Sequence, residues 1–445
     1  MKKIFLITIS FIFATSLLAA EGAAEFSGDI ETLWGIGAPW TDSDTSAGRH
    51  TLGTTSFTGK LDAYYDNSSA YAEATLSYDA VNTLGGNLGS GFDLSLGELW
   101  ADYTEAFWGV RIGRQKAAWG KADGIDITNV LCPSDMSSFA AMVGDDSKLA
   151  IDAVRLSLTG NQFTADAYWI PFFTPAALPL DEGNQLRKFL VPSSMDLTLG
   201  PGMKLTIPVN IGKLEEPEKA IWNGEYGLKL SGYLSALDLS LYGFYGWDDT
   251  PILDYTVTFG PPADPSNPAT AIPDGMTVSG KYERMAMLGA DAALPIGETV
   301  LRLEGAFFPQ RHFQKKEGKS LQRNEFSGLA GLDWMPSGWT FTAQYYCDLV
   351  AGDLEPLERE DAYTHGATLS ASKSLVNETL ELSFAGILGL NDFDSLLSPS
   401  VKYSLSDQIT VGAKAYIFIP GPDEDGKYGA YKDLSSLCIN AKFSF

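Results

Sequence analysis

The chain has 445 residues, a formal net charge of -25, 45% hydrophobic residues and a mean hydropathy of -0.03. Outside the first twenty residues no stretch stays apolar for the roughly 20 residues that a membrane-spanning helix needs, which excludes a helical membrane protein. The acidic excess argues against nucleic acid as a partner, because nucleic acids select basic surfaces. The three cysteines are odd in number and widely spaced, so they predict neither a disulfide framework nor a metal site.

The first twenty residues have the pattern of an export signal. Lys2 and Lys3 precede an apolar run over residues 4–18, and Ala19 and Ala20 supply the small residues of a cleavage region. We therefore predict a signal peptide at residues 1–20 that is removed on export. No internal repeat or linker follows, so residues 21–445 are predicted to form one domain.

From residue 25 onward, apolar and polar residues alternate along segments that read as β-strands with one face of each kind. About eighteen such strands follow one another, and a count of sixteen is the alternative. They lie near residues 25–34, 55–65, 70–78, 93–104, 108–117, 149–158, 162–170, 225–232, 237–247, 282–294, 299–308, 324–334, 339–350, 363–374, 378–389, 396–405, 408–420 and 437–445.

Short turns and long connections alternate between these strands, as they do in outer-membrane β-barrels. The two longest are residues 171–222 and the proline-rich residues 248–280, which cannot be a central strand. Alternation also occurs in soluble β-sandwiches, but the export signal favours a transmembrane antiparallel β-barrel in the lipid bilayer. The expected class is therefore all-β, with long outer loops partly filling the lumen.

The last strand supports the same fold. Its residues Leu437, Ile439, Ala441, Phe443 and Phe445 alternate with polar or small residues, and the chain stops on an aromatic side chain. This ending resembles the C-terminal strand of bacterial outer-membrane barrels. The resemblance implies that the barrel-assembly machinery reads Phe445 and that the cell outer membrane is the destination.

Alternation also assigns side chains to the two faces of the wall. Leu239, Leu241 and Leu303 are predicted to face lipid, whereas Arg302 and Glu304 face the lumen, because a charge at mid-bilayer costs about 2–4 kcal/mol for Arg or Lys. The lumenal charges have both signs, which favours cross-strand pairs over a dedicated selectivity filter. Arg111 and Arg114 cannot share one face of a regular strand, so either Arg114 lies beyond the membrane edge or a bulge re-aims it.

Residues 110–133 read VRIGRQKAAWGKADGIDITNVLCP, and Asp135 follows. Here the chain resembles an uncharacterised Gram-negative outer-membrane family, the domain of unknown function 1302, with the pattern RxGRQ, WG, D and PxD. The matching residues are Arg111, Gly113, Arg114, Gln115, Trp119, Gly120, Asp123, Pro133 and Asp135. The resemblance implies traffic of lipids or hydrophobic compounds, with envelope transport proteins as partners.

Two of the long connections are too apolar for loops kept in water. The third outer loop, about residues 119–148, carries Trp119, Leu131, Met136, Phe139 and Met142. The fourth outer loop, about residues 171–222, carries Phe172, Phe173, Leu178 and Phe189. A barrel of about 16–18 strands encloses an open channel unless something fills it. These loops are expected either to narrow the lumen or to pack on each other above the rim. The constriction candidates are Arg111, Gln115, Trp119, Asp123, Asp126, Asp135, Phe139, Met142, Phe172, Phe173, Arg302, Glu304 and Asp348.

The sequence gives little support for a metal site or for catalysis. Asp123, Asp126 and Asn129 have the spacing of oxygen ligands but lack the glycine and glutamate frame of a calcium loop. The three histidines, His50, His312 and His365, lie in no motif with an evident nucleophile or base. We therefore expect no enzyme, metal or cofactor.

The leading hypothesis is a channel or transporter for a small, hydrophobic or amphipathic molecule. The alternatives are a general diffusion porin for hydrophilic solutes and a surface structural or adhesive barrel.

Overall fold

The computed structural model describes residues 23–38, 48–81, 91–143, 147–181, 184–200, 203–262, 264, 266–267, 271–316, 318–423 and 426–445. The predicted signal peptide, residues 1–20, lies outside the described residues, so its presence and removal stay predictions. No helix in the described ranges is long and apolar enough to span a membrane.

Strands make up most of the described chain. In chain order they are β1 (Ala23–Gly37), β2 (His50–Tyr65), β3 (Ser68–Asp79), β4 (Phe92–Thr104), β5 (Trp108–Gln115), β6 (Ile151–Thr159), β7 (Phe163–Ile170), β8 (Ser194–Gly200), β9 (Met203–Glu215), β10 (Glu225–Leu234), β11 (Leu237–Trp247), β12 (Ile252–Phe259), β13 (Pro273–Lys281), β14 (Arg284–Ile296), β15 (Thr299–Gln314), β16 (Ser320–Trp334), β17 (Trp339–Ala351), β18 (Tyr363–Leu375), β19 (Leu380–Gly389), β20 (Asp394–Ser404), β21 (Ile409–Ile419) and β22 (Ser436–Ser444). Two one-turn helices, α1 (Phe139–Met142) and α2 (Arg187–Leu190), lie in loops.

Eighteen of these strands form one closed antiparallel barrel. Each strand pairs with the next along the chain, except that β7 pairs with β10 and β11 with β14 across the two longest excursions. The ring closes where β1 pairs with β22, from Asp29 opposite Ser444 to Gly37 opposite Ser436. The predicted count of eighteen is confirmed, and closure leaves no unpaired edge strand in the barrel.

The two faces of the wall follow the predicted alternation. Leu241 on β11 is 50% exposed on the outside, whereas its neighbour Ser240 is 5% exposed. On β15 the same contrast separates Leu303, at 48%, from Glu304, at 6%. Apolar side chains therefore form the outer surface and polar ones line the interior, as a barrel in lipid requires.

The irregularity expected near Arg114 lies on the neighbouring strands. β5 pairs with β4 and β6 without a register shift, and Arg114 stands opposite Leu99 and Asp152. The shift occurs between β3 and β4, at Ala72 and Ala74, and the Arg114 Nε donates to the Leu96 carbonyl at 3.2 Å. Arg114 thus reaches toward a bulged segment of β4 rather than lying in a bulge of its own strand.

A second, four-stranded sheet stands at the end of the barrel that carries the long loops. It consists of the β8–β9 and β12–β13 hairpins, joined by parallel pairing of β9 with β13. The prediction that residues 248–280 form a loop without strands is wrong, because they contain β12 and β13. The prolines that suggested a loop are concentrated between these two strands. Ile207, Val209, Met276 and Val278 form the core of this sheet.

Candidate functional site

The third long connection, residues 116–150, leaves β5, enters the barrel interior and returns to β6; we term it the crossing loop. Its apolar residues Trp119, Ile127 and Leu131 are buried in one cluster with inward-facing side chains of β6, β7, β11 and β14–β16. The Trp119 ring lies 5.1 Å from the Tyr242 ring of β11. The first half of the crossing loop therefore packs against the inner wall rather than above the rim.

One buried carboxylate holds this half of the loop. Glu304 Oε2 accepts the backbone N–H groups of Lys121 at 2.6 Å and Ala122 at 2.8 Å. Its Oε1 accepts both the backbone N–H of Thr128, at 2.8 Å, and the Thr128 hydroxyl, at 2.7 Å. Four donors from the loop converge on a single side chain of β15, and a charged acceptor makes each hydrogen bond stronger than a neutral one.

Neighbouring strands add further polar contacts. Gln344 on β17 accepts the Asp123 N–H at 3.0 Å and donates to the Asp123 carbonyl at 2.8 Å. Arg302 donates to the Lys121 carbonyl at 3.1 Å and forms an ion pair with Asp333. We term the inner face of β11, β14, β15, β16 and β17 the anchor wall.

The loop backbone needs a glycine where it meets Glu304. Gly120 has a φ of +87°, and a Cβ at this position would lie 2.4 Å from Glu304 Oε1. Its N–H also donates to the Tyr242 hydroxyl at 3.1 Å. A larger residue would therefore be strained and would displace the carboxylate.

The anchors lie near the middle of the barrel wall. Tyr242 is the central residue of β11 (Leu237–Trp247), and Gln344 stands five residues from the turn end of β17 (Trp339–Ala351). The crossing loop thus descends about halfway down the lumen, where it can restrict passage.

The second half of the crossing loop contacts the other side of the barrel. Ser138 caps α1 by accepting the Ala141 N–H, and Phe139 packs 5.7 Å from the Tyr416 ring and 6.1 Å from the Phe418 ring of β21. Met142 packs on the same cluster, which includes Leu52 of β2 and Cys438 of β22. We term the inner face of β21, β22, β1 and β2 the opposite wall. β11 is the ninth and β22 the eighteenth strand of the ring, so the loop spans the lumen.

Two other loops support this crossing. In the fourth loop, Asn184 donates to the Ser137 carbonyl at 2.6 Å, and Gln185 donates to the Thr51 carbonyl at 2.7 Å. Phe189 of α2 then packs 4.6 Å from the Tyr431 ring of the ninth loop, residues 420–435. The ninth loop was not predicted to take part, and it is held by Asp394, which accepts the N–H groups of Tyr428 and Gly429.

Ion pairs tie the fifth loop, which joins β11 to β14 and begins at Asp248, to the barrel at its loop end. Arg311 donates to Asp248 and to Glu325, both at 2.8 Å, and Arg359 lies 3.5 Å from Glu325. Burial alone would raise the pKa of Asp248, but the Arg311 charge and hydrogen bonds from Arg311 and Thr250 outweigh burial and lower it. The carboxylate form of Asp248 is thus part of the folded mouth.

The comparisons with known proteins agree with this architecture. A family model described as "Protein of unknown function (DUF1302)" matches residues 38–431. The chain belongs to this family. In this DUF1302 protein the Trp119, Gly120 and Asp123 positions of the local pattern all lie in the part of the crossing loop that contacts the anchor wall. No curated protein matches the chain.

Solved structures similar to this DUF1302 protein show the same fold at low sequence identity. OccAB2 of Acinetobacter baumannii matches with a TM-score of 0.52 and 10% identity, covering 95% of this chain and 98% of that one. OccAB3 of the same organism gives 0.51 and 10%, covering 96% and 99%. OccK3 (OpdO) of Pseudomonas aeruginosa gives 0.51 and 10%, covering 98% of both chains. The likeness establishes an outer-membrane β-barrel fold.

The structure brings together six of the predicted constriction residues: Trp119, Asp123, Arg302 and Glu304 at the anchor wall, and Phe139 and Met142 at the opposite wall. Gln115 is buried where the loop begins and donates to the Ala153 carbonyl at 3.0 Å, a structural role. Gln344, Tyr242 and Thr128 complete the anchor. Alternation along β11 and β17 places Tyr242 and Gln344 on the lumenal face, whereas Thr128 lies in a loop where no such period applies.

The other candidates make none of the contacts by which the crossing loop is attached to the two walls. Arg111 pairs with Asp102 at 3.0 Å near a short turn, and Asp135 accepts the Ser137 N–H and hydroxyl within a loop turn. Phe172 is exposed, and Phe173 packs on Tyr282 at the rim. Asp348 lies on β17 between Gln344 and the loop end.

The contacts of Asp126 do not support a calcium site formed with Asp123 and Asn129. Its carboxylate pairs with Lys148 at 2.5 Å and accepts from Asn129 at 3.0 Å. No group of three or more His, Cys, Asp or Glu side chains in the described ranges is placed to hold a metal ion.

Proposed function

We propose that this DUF1302 barrel is an outer-membrane channel, constricted by its crossing loop, that passes a small hydrophobic or amphipathic molecule. The observation that carries the proposal is the attachment of the crossing loop to both walls, through Glu304 on one side and through Tyr416 and Phe418 on the other. A barrel serving only to display loops has no need of a segment that is bound to both walls and descends to mid-height along one of them.

The apolar character of the constriction supports a hydrophobic or amphipathic substrate. Trp119, Leu131 and Phe139 are buried between the crossing loop and the walls, and Met142 is half-buried beside them. A constriction built mainly of apolar side chains with a few fixed polar groups has the composition of small-molecule sites. Passage through the outer membrane, with envelope transport proteins supplying or receiving the molecule, is part of the proposal.

The alternative is a general diffusion porin for hydrophilic solutes. Lumenal ion pairs favour it, for example Arg302 with Asp333 and Arg111 with Asp102. Pairs of this kind make the wall wet and of mixed sign. The two functions differ in which class of solute crosses faster.

Two assays on the same protein separate them. Outer-membrane-intact Gram-negative cells that produce the protein should take up the hydrophobic dye N-phenyl-1-naphthylamine faster than vector cells. Proteoliposomes should swell slowly in small sugars. Fast sugar entry with unchanged dye uptake would establish the porin instead. No effect in either assay, with binding of the producing cells to surfaces, would establish the adhesive barrel.

A further inference from the structure

An apolar cleft opens between the third, fourth and fifth loops at the loop end of the barrel. It has a volume of about 130 Å³, and apart from Thr250 its lining is apolar, including Met136, Leu180, Val191, Leu253 and Val278. Each of the three loops contributes side chains, so the cleft exists only when the loops are assembled. We term it the mouth cleft.

Its size and lining select an apolar group. An engineered protein cavity of about 150 Å³ lined by Leu, Ile and Phe stays dry and binds benzene. The mouth cleft is of similar volume and chemistry, so a single aromatic ring or a short acyl segment fills it. A longer molecule would project from it.

A half-buried cation belongs to a helical turn that contributes to the lining of this cleft. The Val191 N–H donates to the Arg187 carbonyl at 2.8 Å, which closes the helical turn of α2. Residues three apart share a helix face, so Arg187 lies on the same face as Leu190, which lines the cleft together with the following Val191. On the other face, Leu186 and Phe189 pack on the cluster at the opposite wall.

Arg187 has no partner within the part of the chain that the structure describes. Its Nε is buried without a hydrogen-bond acceptor, and no ion pair joins its guanidinium to the described part of the chain. A buried N–H without an acceptor is costly, and in a chain with a net charge of -25 acidic partners are abundant. An anionic group from outside the chain would relieve that cost.

From these observations we infer that the mouth cleft binds a small anionic amphiphile, with its ring or acyl segment between the loops and its carboxylate or similar head group on Arg187. This inference rests on the proposed function and deepens it, because it assigns the substrate class and an entry site. The apolar lining supplies affinity, and the guanidinium selects the head group, since a planar cation recognises carboxylates in a bidentate manner.

The test uses the full-length protein in lipid nanodiscs and two soluble probes, 3-phenylpropionate and the uncharged 3-phenyl-1-propanol, in titration calorimetry. Wild-type protein should bind the carboxylate at least tenfold more tightly than the alcohol. R187Q should remove this preference and leave alcohol binding unchanged. K188Q is the matched control, because Lys188 is the adjacent cation but pairs with Asp433 at 3.4 Å; it should change neither affinity.

Filling the cleft gives an independent arm. L253W and L180W should each weaken both probes at least tenfold, with the barrel signature in far-UV circular dichroism retained. The inference is overturned if wild-type protein binds neither probe, if R187Q weakens both equally, or if both filling variants bind normally. Dye uptake by cells reports separately on the channel. Uptake without cleft binding defeats only the cleft, and cleft binding without uptake defeats only the channel.

Discussion

Thr128 donates both its backbone N–H and its hydroxyl to the same oxygen of Glu304, although the two residues are 176 positions apart in the sequence. The other oxygen of the carboxylate accepts two more N–H groups, from Lys121 and Ala122. One side chain of the barrel wall therefore accepts all four of these hydrogen bonds from the crossing loop. For this reason the constriction should be sensitive to single substitutions.

Replacing Glu304 by alanine should release the first half of the loop. Each hydrogen bond to a charged group contributes about 1.5–3 kcal/mol, and E304A would leave the buried loop donors unsatisfied. We expect the single-channel conductance to rise at least twofold and trypsin to cleave at Lys121 in folded barrels. E381Q is the control, since Glu381 is a lumenal carboxylate of β19 outside the anchor wall. Equal behaviour of the two variants would show that Glu304 does not hold the loop.

Gly120 and Gly124 offer a matched pair of substitutions. Both have positive φ, +87° and +70°, so alanine is strained by about 1 kcal/mol or more at either site. Only at Gly120 would the added Cβ meet Glu304, whereas at Gly124 nothing lies within 4 Å. G120A should raise conductance and trypsin cleavage as E304A does, and G124A should stay close to wild type. A larger effect of G124A would rule out the contact with Glu304 as the cause.

The opposite end of the crossing depends on Phe139, which is 1% exposed. Truncating a buried phenylalanine to alanine costs about 3–5 kcal/mol, so F139A should detach α1 from Tyr416 and Phe418. Hydrogen exchange of residues 136–143 should accelerate at least tenfold, with the barrel strands unchanged. F172A is the comparison, because Phe172 is exposed and should alter exchange little. Unchanged hydrogen-exchange protection of residues 136–143 in F139A would show that Phe139 does not hold this segment against the opposite wall.

Acidification should loosen the fifth loop. The pKa of Asp248 is lowered by Arg311 in the folded state, so its contribution to stability is complete above the ordinary pKa of 3.8 and is lost as the pH falls toward the lowered value. Pepsin cleavage within residues 248–283 should accelerate between about pH 4 and pH 2 in wild-type protein. D248N should be cleaved rapidly across the whole interval, because its side chain does not titrate. A flat profile for wild-type protein would contradict the assignment.

The wall was predictable from the sequence because lipid and water impose a period of two on every strand. Leu239 and Leu241 face lipid and Ser240 faces the lumen for that local reason, and the short turns fixed which strands are neighbours. The small sheet was not predictable: β9 pairs with β13 in parallel, from loops that are far apart in sequence, and no periodicity encodes that pairing.

The apolar composition of the crossing loop could be predicted from the sequence, but its contacts with the wall could not. The apolar residues around Trp119 and Phe139 are more numerous than a loop in water would carry, which indicated that this loop is packed against protein. The choice of Glu304 as its acceptor, rather than Asp348 or another lumenal carboxylate, depends on how far the loop descends. That depth follows from packing on Tyr242 and Met287, which are more than a hundred residues away.

The most direct test of the crossing loop is the conductance of a variant in which residues 118–131 are replaced by a short glycine–serine linker. Planar-bilayer recordings would compare it with wild-type protein under the same salt. Removing the half of the loop that descends along the anchor wall should convert small or absent steps into large, ohmic ones, because an eighteen-stranded barrel is open where nothing fills it. Unchanged conductance in a correctly folded variant would mean that the loop does not obstruct the lumen, and the proposed constriction would be wrong.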